Sequence, residues 1–139
     1  MIRRAAQKVV PSEHWRGRRD NARAFHEAAR SQLGLLDQAA NANPVISLIA
    51  NAAIGYADAV TSRQKGMVNQ EQHEKLVALL RSAVGNKLPP TVAKALSSIL
   101  KEKSTSQYGV RHGRIETAAK LFASLEEIAT WVERHLIDV

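Results

Sequence analysis

The 139-residue chain has no cysteine, which excludes disulfides, thiol nucleophiles and cysteine-held zinc or iron–sulfur centres. A reducing, cytoplasmic setting is the expectation that fits this absence. Phe, Trp and Tyr together make up only 4% of the residues, and no run alternates apolar and polar side chains between turn signals, so no strand is expected. A P-loop and a glycine-rich dinucleotide fingerprint are also missing. Residues 38–57 carry no charged side chain, which is the length of a membrane span. Gln38, Asn41, Asn43, Pro44, Ser47 and Asn51 interrupt that window, and each would be costly in lipid. The opening ten residues hold too short an apolar stretch for a signal peptide, and Pro11 follows at once. The expectation is a helix buried in a protein core, with no membrane contact.

What is present is an ordinary globular balance, 45% apolar and 24% charged, enough for one hydrophobic core. Helical periodicity places five segments. Trp15, Ala22, Phe25, Ala29, Leu33, Leu36 and Ala40 form the stripe of the first, with Ser12 as its cap and Glu13 in its first turn. Asn43 and Pro44 start a second, apolar nearly all round, which Gly66 stops. Asn69 is expected to cap a third, in which His73, Leu76, Val77, Leu80 and Val84 share a face up to Gly85. Pro89 and Pro90 open a shorter fourth, and residues 103–109 read as a loop. The last helix has Ile115, Ala118, Phe122, Leu125, Ala129, Val132 and Leu136 in steps of three and four. The predicted fold is all-α, an up-and-down bundle of four to five antiparallel helices over residues 12–139, preceded by a basic lead-in at 1–11.

Charge is unevenly spread. Lys and Arg number 20 against 13 Asp and Glu, a net +7, and residues 1–30 alone hold eight bases against three acids. Such a surface favours polyanions, unless it is only a solvated face. Arg16, Arg18, Arg19 and Arg23 form one basic cluster on the first helix, pointing around several of its sides. A second surrounds residues 101–114, where Lys101, Lys103, Arg111, His112 and Arg114 accompany Tyr108 and lead into the last helix. Unpaired N–H groups at a helix start attract phosphate, guanidiniums add to that, and Tyr108 could stack on a base. The plain alternative is a solvated loop whose tyrosine packs on the bundle. Metal chemistry is not expected, because no two of His14, His26, His73, His112 and His135 stand three or four apart. His73 reads as a satisfied buried histidine or a helix-end contact. No cofactor is implied.

The order of pieces resembles a known family. An apolar helix runs from Asn43 through Tyr56, Ala57 and Asp58; Lys65, Gly66 and His73 follow, then a leucine-rich helix, and residues 103–108 lead to an alanine-rich last helix. This is similar to HEPN-type domains, small helical nucleotide-binding domains found beside nucleotidyltransferases and in prokaryotic toxin–antitoxin and defence systems. The resemblance spans residues 12–137 and implies a bundle, often a homodimer, acting on or near RNA, with a nucleotidyltransferase or antitoxin as partner. Active members are metal-independent ribonucleases with Arg and His separated by four to six residues near the start of a late helix. Here Arg111 is followed at those spacings by Glu116, Thr117 and Ala118, and Arg114 by Ala119, Lys120 and Leu121. Arg19 and His26 have the spacing but lie on the first helix, and about one such pair arises by chance among twelve arginines and five histidines. No catalytic residue is assigned.

Three functions follow as expectations: a non-catalytic nucleotide-, RNA- or partner-binding domain first; a ribonuclease with a rearranged Arg19/His26 or Arg111/His112 site second; a structural dimerisation module third. A second apolar row on the last helix, Leu121, Ile128 and His135, suggests self-association.

Overall fold

Pro44 in the first turn and Gly66 at the left-handed C-cap, φ 66°, delimit a 23-residue helix that buries fifteen of its side chains or glycine positions. The rest of the fold is arranged around it. The computed structural model describes residues 7–69 and 73–137, the side chains of 74, 107 and 108 excepted. Within them lie α1 (His14–Leu35), α2 (Asn43–Lys65), α3 (Leu76–Val84), α4 (Pro90–Tyr108) and α5 (Ile115–Ile137), with single 3-10 turns at His73–Lys75 and Gly85–Lys87. This is the expected all-α bundle. α2 is long and apolar enough to cross a membrane, yet 83% of its apolar window is buried inside the chain.

Side-chain pairings give the helix directions. Trp15 meets Arg63 and Arg18 meets Asp58, so α1 and α2 run antiparallel. Arg23 pairs with Glu133 and Arg30 with Glu126, so α1 and α5 are antiparallel too. Asn43 bonds to the Arg111 carbonyl at one end and Arg63 to the Leu136 carbonyl at the other, so α2 and α5 are parallel. The short α3 packs against α2 and, more lightly, against α4. The core joins Ile46, Ile49 and Val60 of α2 to Leu80, Leu96, Ile99, Leu125 and Ile128. Each large aliphatic side chain enclosed there contributes about 1.5–3 kcal/mol.

Several local expectations are corrected. A strand pair exists: β1 (Gln7–Val9) pairs antiparallel with β2 (Met67–Asn69), Lys8 opposite Val68. Three residues are too few to show a period of two, and residues 7–10 of the lead-in are hydrogen-bonded to the domain. Asn69 lies in β2, and α3 starts only at Leu76. His73 sits in the 3-10 turn before α3. The residue preceding α1 is Glu13, without a side-chain cap bond; it pairs with Arg16 at 2.8 Å, and Ser12 stands outside. α1 ends before Ala40, and Phe25 is 37% exposed while its neighbour His26 is buried. α4 is not short but 19 residues long, and it continues through most of the supposed loop at 103–109. Leu121 and Ile128 of the second apolar row on α5 are buried within the chain.

α1 and α2 approach closely at Gly55 of α2. A Cβ there would meet the Ala22 Cβ at 2.9 Å and the Arg18 carbonyl oxygen at 3.3 Å. Gly55→Val is expected to destabilise the fold by about 1–3 kcal/mol through overpacking. Gly17→Ala, where a Cβ meets nothing within 4 Å in the same interface helix, is expected to stabilise by about 0.5–1 kcal/mol from helix propensity. Urea denaturation of both variants checks this: equal effects of one sign would refute the close approach.

Candidate functional site

The segment between α4 and α5 is fastened to the start of α2. The Asn41 Oδ1 accepts from the Gly113 N–H and the Asn43 N–H, both at 3.1 Å. The Ala42 N–H donates to the Gly113 carbonyl at 3.0 Å, and Asn43 Nδ2 donates to the Arg111 carbonyl at 2.9 Å. Gly113 is required there, since a Cβ would collide with the Asn43 side chain and lie 3.1 Å from its backbone nitrogen. These bonds consume backbone groups of the loop and leave the Arg111 and His112 side chains exposed.

They line an open cleft of about 240 Å³ with Arg114, Gly113 and Thr117 on one side, Glu102, Thr105 and Ser106 of α4 on the other, and Asn43 and Ile46 below. α5 begins at this cleft, and its first-turn N–H groups have no intrahelical acceptor. Arg114 is 3.8 Å from Glu116, with both side chains more than half exposed, a weak contact. Among the described residues, no carboxylate pairs with Arg111, Lys101 or Lys103.

Of the predicted site residues, then, Arg111, His112 and Arg114 come together. Lys101 and Lys103 do not line the cleft: because α4 continues, its i, i+3, i+4 face turns Glu102, Thr105 and Ser106 inward instead. The Tyr108 side chain lies outside the described residues.

The first-helix arginines have a different fate. Arg16 pairs with Glu13, Arg18 with Asp58 at 2.7 Å, Arg19 with Asp20 at 3.3 Å, and Arg23 in a forked contact with Glu133. Arg30 bridges Glu27 and Glu126. Arg16, Arg19 and Arg63 also surround the Trp15 ring, with guanidinium carbons 5.1, 5.1 and 4.5 Å from its centre. What reads as a polycationic surface in the sequence is a set of matched contacts within and between helices.

His26 belongs to a buried clamp rather than to an Arg19 pair. Its Nδ1 is 2.9 Å from the Tyr56 hydroxyl and its Nε2 3.4 Å from Glu126, and Phe122 meets the ring edge-on. Arg19 is seven residues away along α1 and turned to Trp15 and Asp20, so those two residues share no open site. Burial pushes the Tyr56 hydroxyl up to about 12. Burial alone would raise Glu126, but the Arg30 and His26 contacts hold it below the usual carboxylate range. No cluster of three metal-ligating side chains occurs among the described residues.

Residues that sequence reasoning missed are Asn41, Asn43 and Glu102. A sharper signal for the clamp was available in the shared seven-residue spacing of Arg23 and Arg30 on α1 and of Glu126 and Glu133 on α5. No protein-family model matches the chain, and no curated protein matches it in sequence.

Asp58 is the deepest charged group here, 4% exposed, with Oδ1 lacking a partner while Oδ2 takes the Arg18 contact. Burial pushes its carboxyl up to about 6 against the pull of Arg18. The folded state thus binds this proton more tightly than the unfolded chain does. Asp58 therefore costs stability progressively as pH rises from about 4 to about 6, and the penalty is constant above. Glu126 acts in the opposite sense, so the useful quantity is a difference between variants. Asp58→Asn is expected to gain stability relative to wild type as pH rises across that interval. Denaturant midpoints at pH 4, 5, 6 and 7 check it; a pH-independent difference would refute it.

Proposed function

We propose that this chain is a non-catalytic HEPN-like helical domain that binds a nucleotide or RNA phosphate in the cleft between α4 and α5. The observation that carries the proposal is a contrast. Five arginines of α1 are engaged by carboxylates, whereas Arg111 and His112 stand exposed without one beside the start of α5. A phosphate in the cleft would receive forked guanidinium bonds and first-turn N–H donors together. The same contrast argues against a diffuse polyanion surface on α1, because its guanidiniums would have to leave existing partners. A cytoplasmic domain working as a homodimer, or beside a nucleotidyltransferase or an antitoxin, fits the family resemblance and is proposed on that ground.

Titration of fluorescein-labelled oligoribonucleotide at two salt concentrations tests the assignment. Arg111→Ala with Arg114→Ala is expected to weaken binding by about 1–3 kcal/mol. Arg16→Ala with Arg19→Ala should change it little. The reverse ranking would move the site to α1, and no binding by wild type at low salt would leave a structural module. Incubation with a long RNA checks for catalysis: the purified protein is expected to leave it intact, and cleavage abolished by His112→Ala would install a ribonuclease built on Arg111 and His112.

A further inference from the structure

The two walls of the cleft differ in hydrogen-bonding sense. The α5 side presents donors: the Arg111 and Arg114 guanidiniums, and N–H groups of the first turn. The α4 side presents acceptors. The Thr105 hydroxyl donates back to the Lys101 carbonyl at 3.4 Å and the Ser106 hydroxyl to the Lys103 carbonyl at 3.1 Å, leaving lone pairs to face outward. Glu102 adds a carboxylate with no ion-pair partner among the described residues, although Arg111 and Arg114 line the same cleft.

A carboxylate so placed opposes phosphate binding unless the ligand brings donors to it. The ligand that suits both walls has an anionic end and, a few ångströms away, a pair of hydroxyl donors. A volume of about 240 Å³ holds one such unit and not a stack of bases.

We propose that Glu102 is a specificity-determining residue that accepts hydrogen bonds from the vicinal 2′- and 3′-hydroxyls of a ribose whose 5′-phosphate lies against Arg111 and Arg114. The ligand class is a ribonucleoside 5′-phosphate with a free 2′,3′-diol, whether a free mononucleotide or the 3′-terminal residue of an RNA. The inference rests on the cleft being a phosphate site, as proposed above. Acidic residues read ribose hydroxyls in the same chemical manner in dinucleotide-binding folds. A carboxylate can accept from both hydroxyls at once, which a 2′-deoxyribose cannot offer.

Calorimetric titration with adenosine 5′-monophosphate and its 2′-deoxy counterpart is the test. Wild type is expected to prefer the ribonucleotide by about tenfold, the worth of one charge-assisted hydrogen bond. Glu102→Gln keeps the size of the side chain at a half-buried helix position and should reduce that ratio below about threefold without weakening the deoxynucleotide. Arg111→Ala should weaken both ligands and keep the ratio. A short RNA ending in a 3′-hydroxyl, compared with the same RNA ending in a 2′,3′-cyclic phosphate, separates the sources: preference for the former assigns the RNA end, and mononucleotide binding without it assigns the free nucleotide. Equal affinity of wild type for ribo- and deoxynucleotide, or a ratio unchanged in Glu102→Gln, overturns the role of Glu102 and leaves the phosphate site standing. Failure of wild type to bind either nucleotide or RNA overturns both.

Discussion

A helix that is apolar on every side has to be enclosed on every side, and α2 imposes that condition on the rest of the chain. α1 lies close enough for Ala22 to face Gly55, α5 runs parallel along another flank, and α3 and α4 close the remainder. The small residues of α2 are what permit this. Ala50, Ala52, Ala53, Ala57 and Ala59 are fully enclosed, so neighbouring backbones approach without long side chains to accommodate. Polar groups inside the resulting bundle are handled by pairing: Asp58 with Arg18, His26 with Tyr56 and Glu126. Even so, one oxygen of Asp58 is left without a partner. Arg18 nonetheless fixes where α1 lies against α2, which an alanine surface alone specifies poorly.

Much of this was legible in the sequence. Pro44, Gly66, Gly85 and Pro90 mark helix ends as their backbone chemistry requires, and the stripe of α5 is buried from Ala118 to Leu136 with Phe122 at its edge. What was not legible depended on contacts distant in the chain. A three-residue strand exists because β2 runs beside it, not because Gln7, Lys8 and Val9 prefer extended backbone. Residues 103–108, rich in Ser and Thr, read as a loop by propensity. They stay helical at the end of α4, where Thr105 and Ser106 hydroxyls bond back to carbonyls of the preceding turn. That one extension rotates Lys101 and Lys103 away from the cleft and Glu102 toward it, changing the chemistry of the candidate site.

Net charge behaves in the same way. The surplus of bases in residues 1–30 is real, but the acids that engage Arg18, Arg23 and Arg30 come from α2 and α5. A count over a window of sequence does not contain them. The charge open to a ligand is set by which cations the fold leaves unmatched, and Arg111, where the chain turns from α4 into α5, is one of them.

The connection between α1 and α2 and the segment before α5 hold one another through Asn41, Ala42, Asn43, Arg111 and Gly113. Opening either one breaks bonds to the other, which couples the two in local unfolding. Their amides at Ala42 and Gly113 are therefore expected to exchange with solvent together. A molecule resting against Arg111 would then slow exchange at Ala42 too, in a segment distant in the chain.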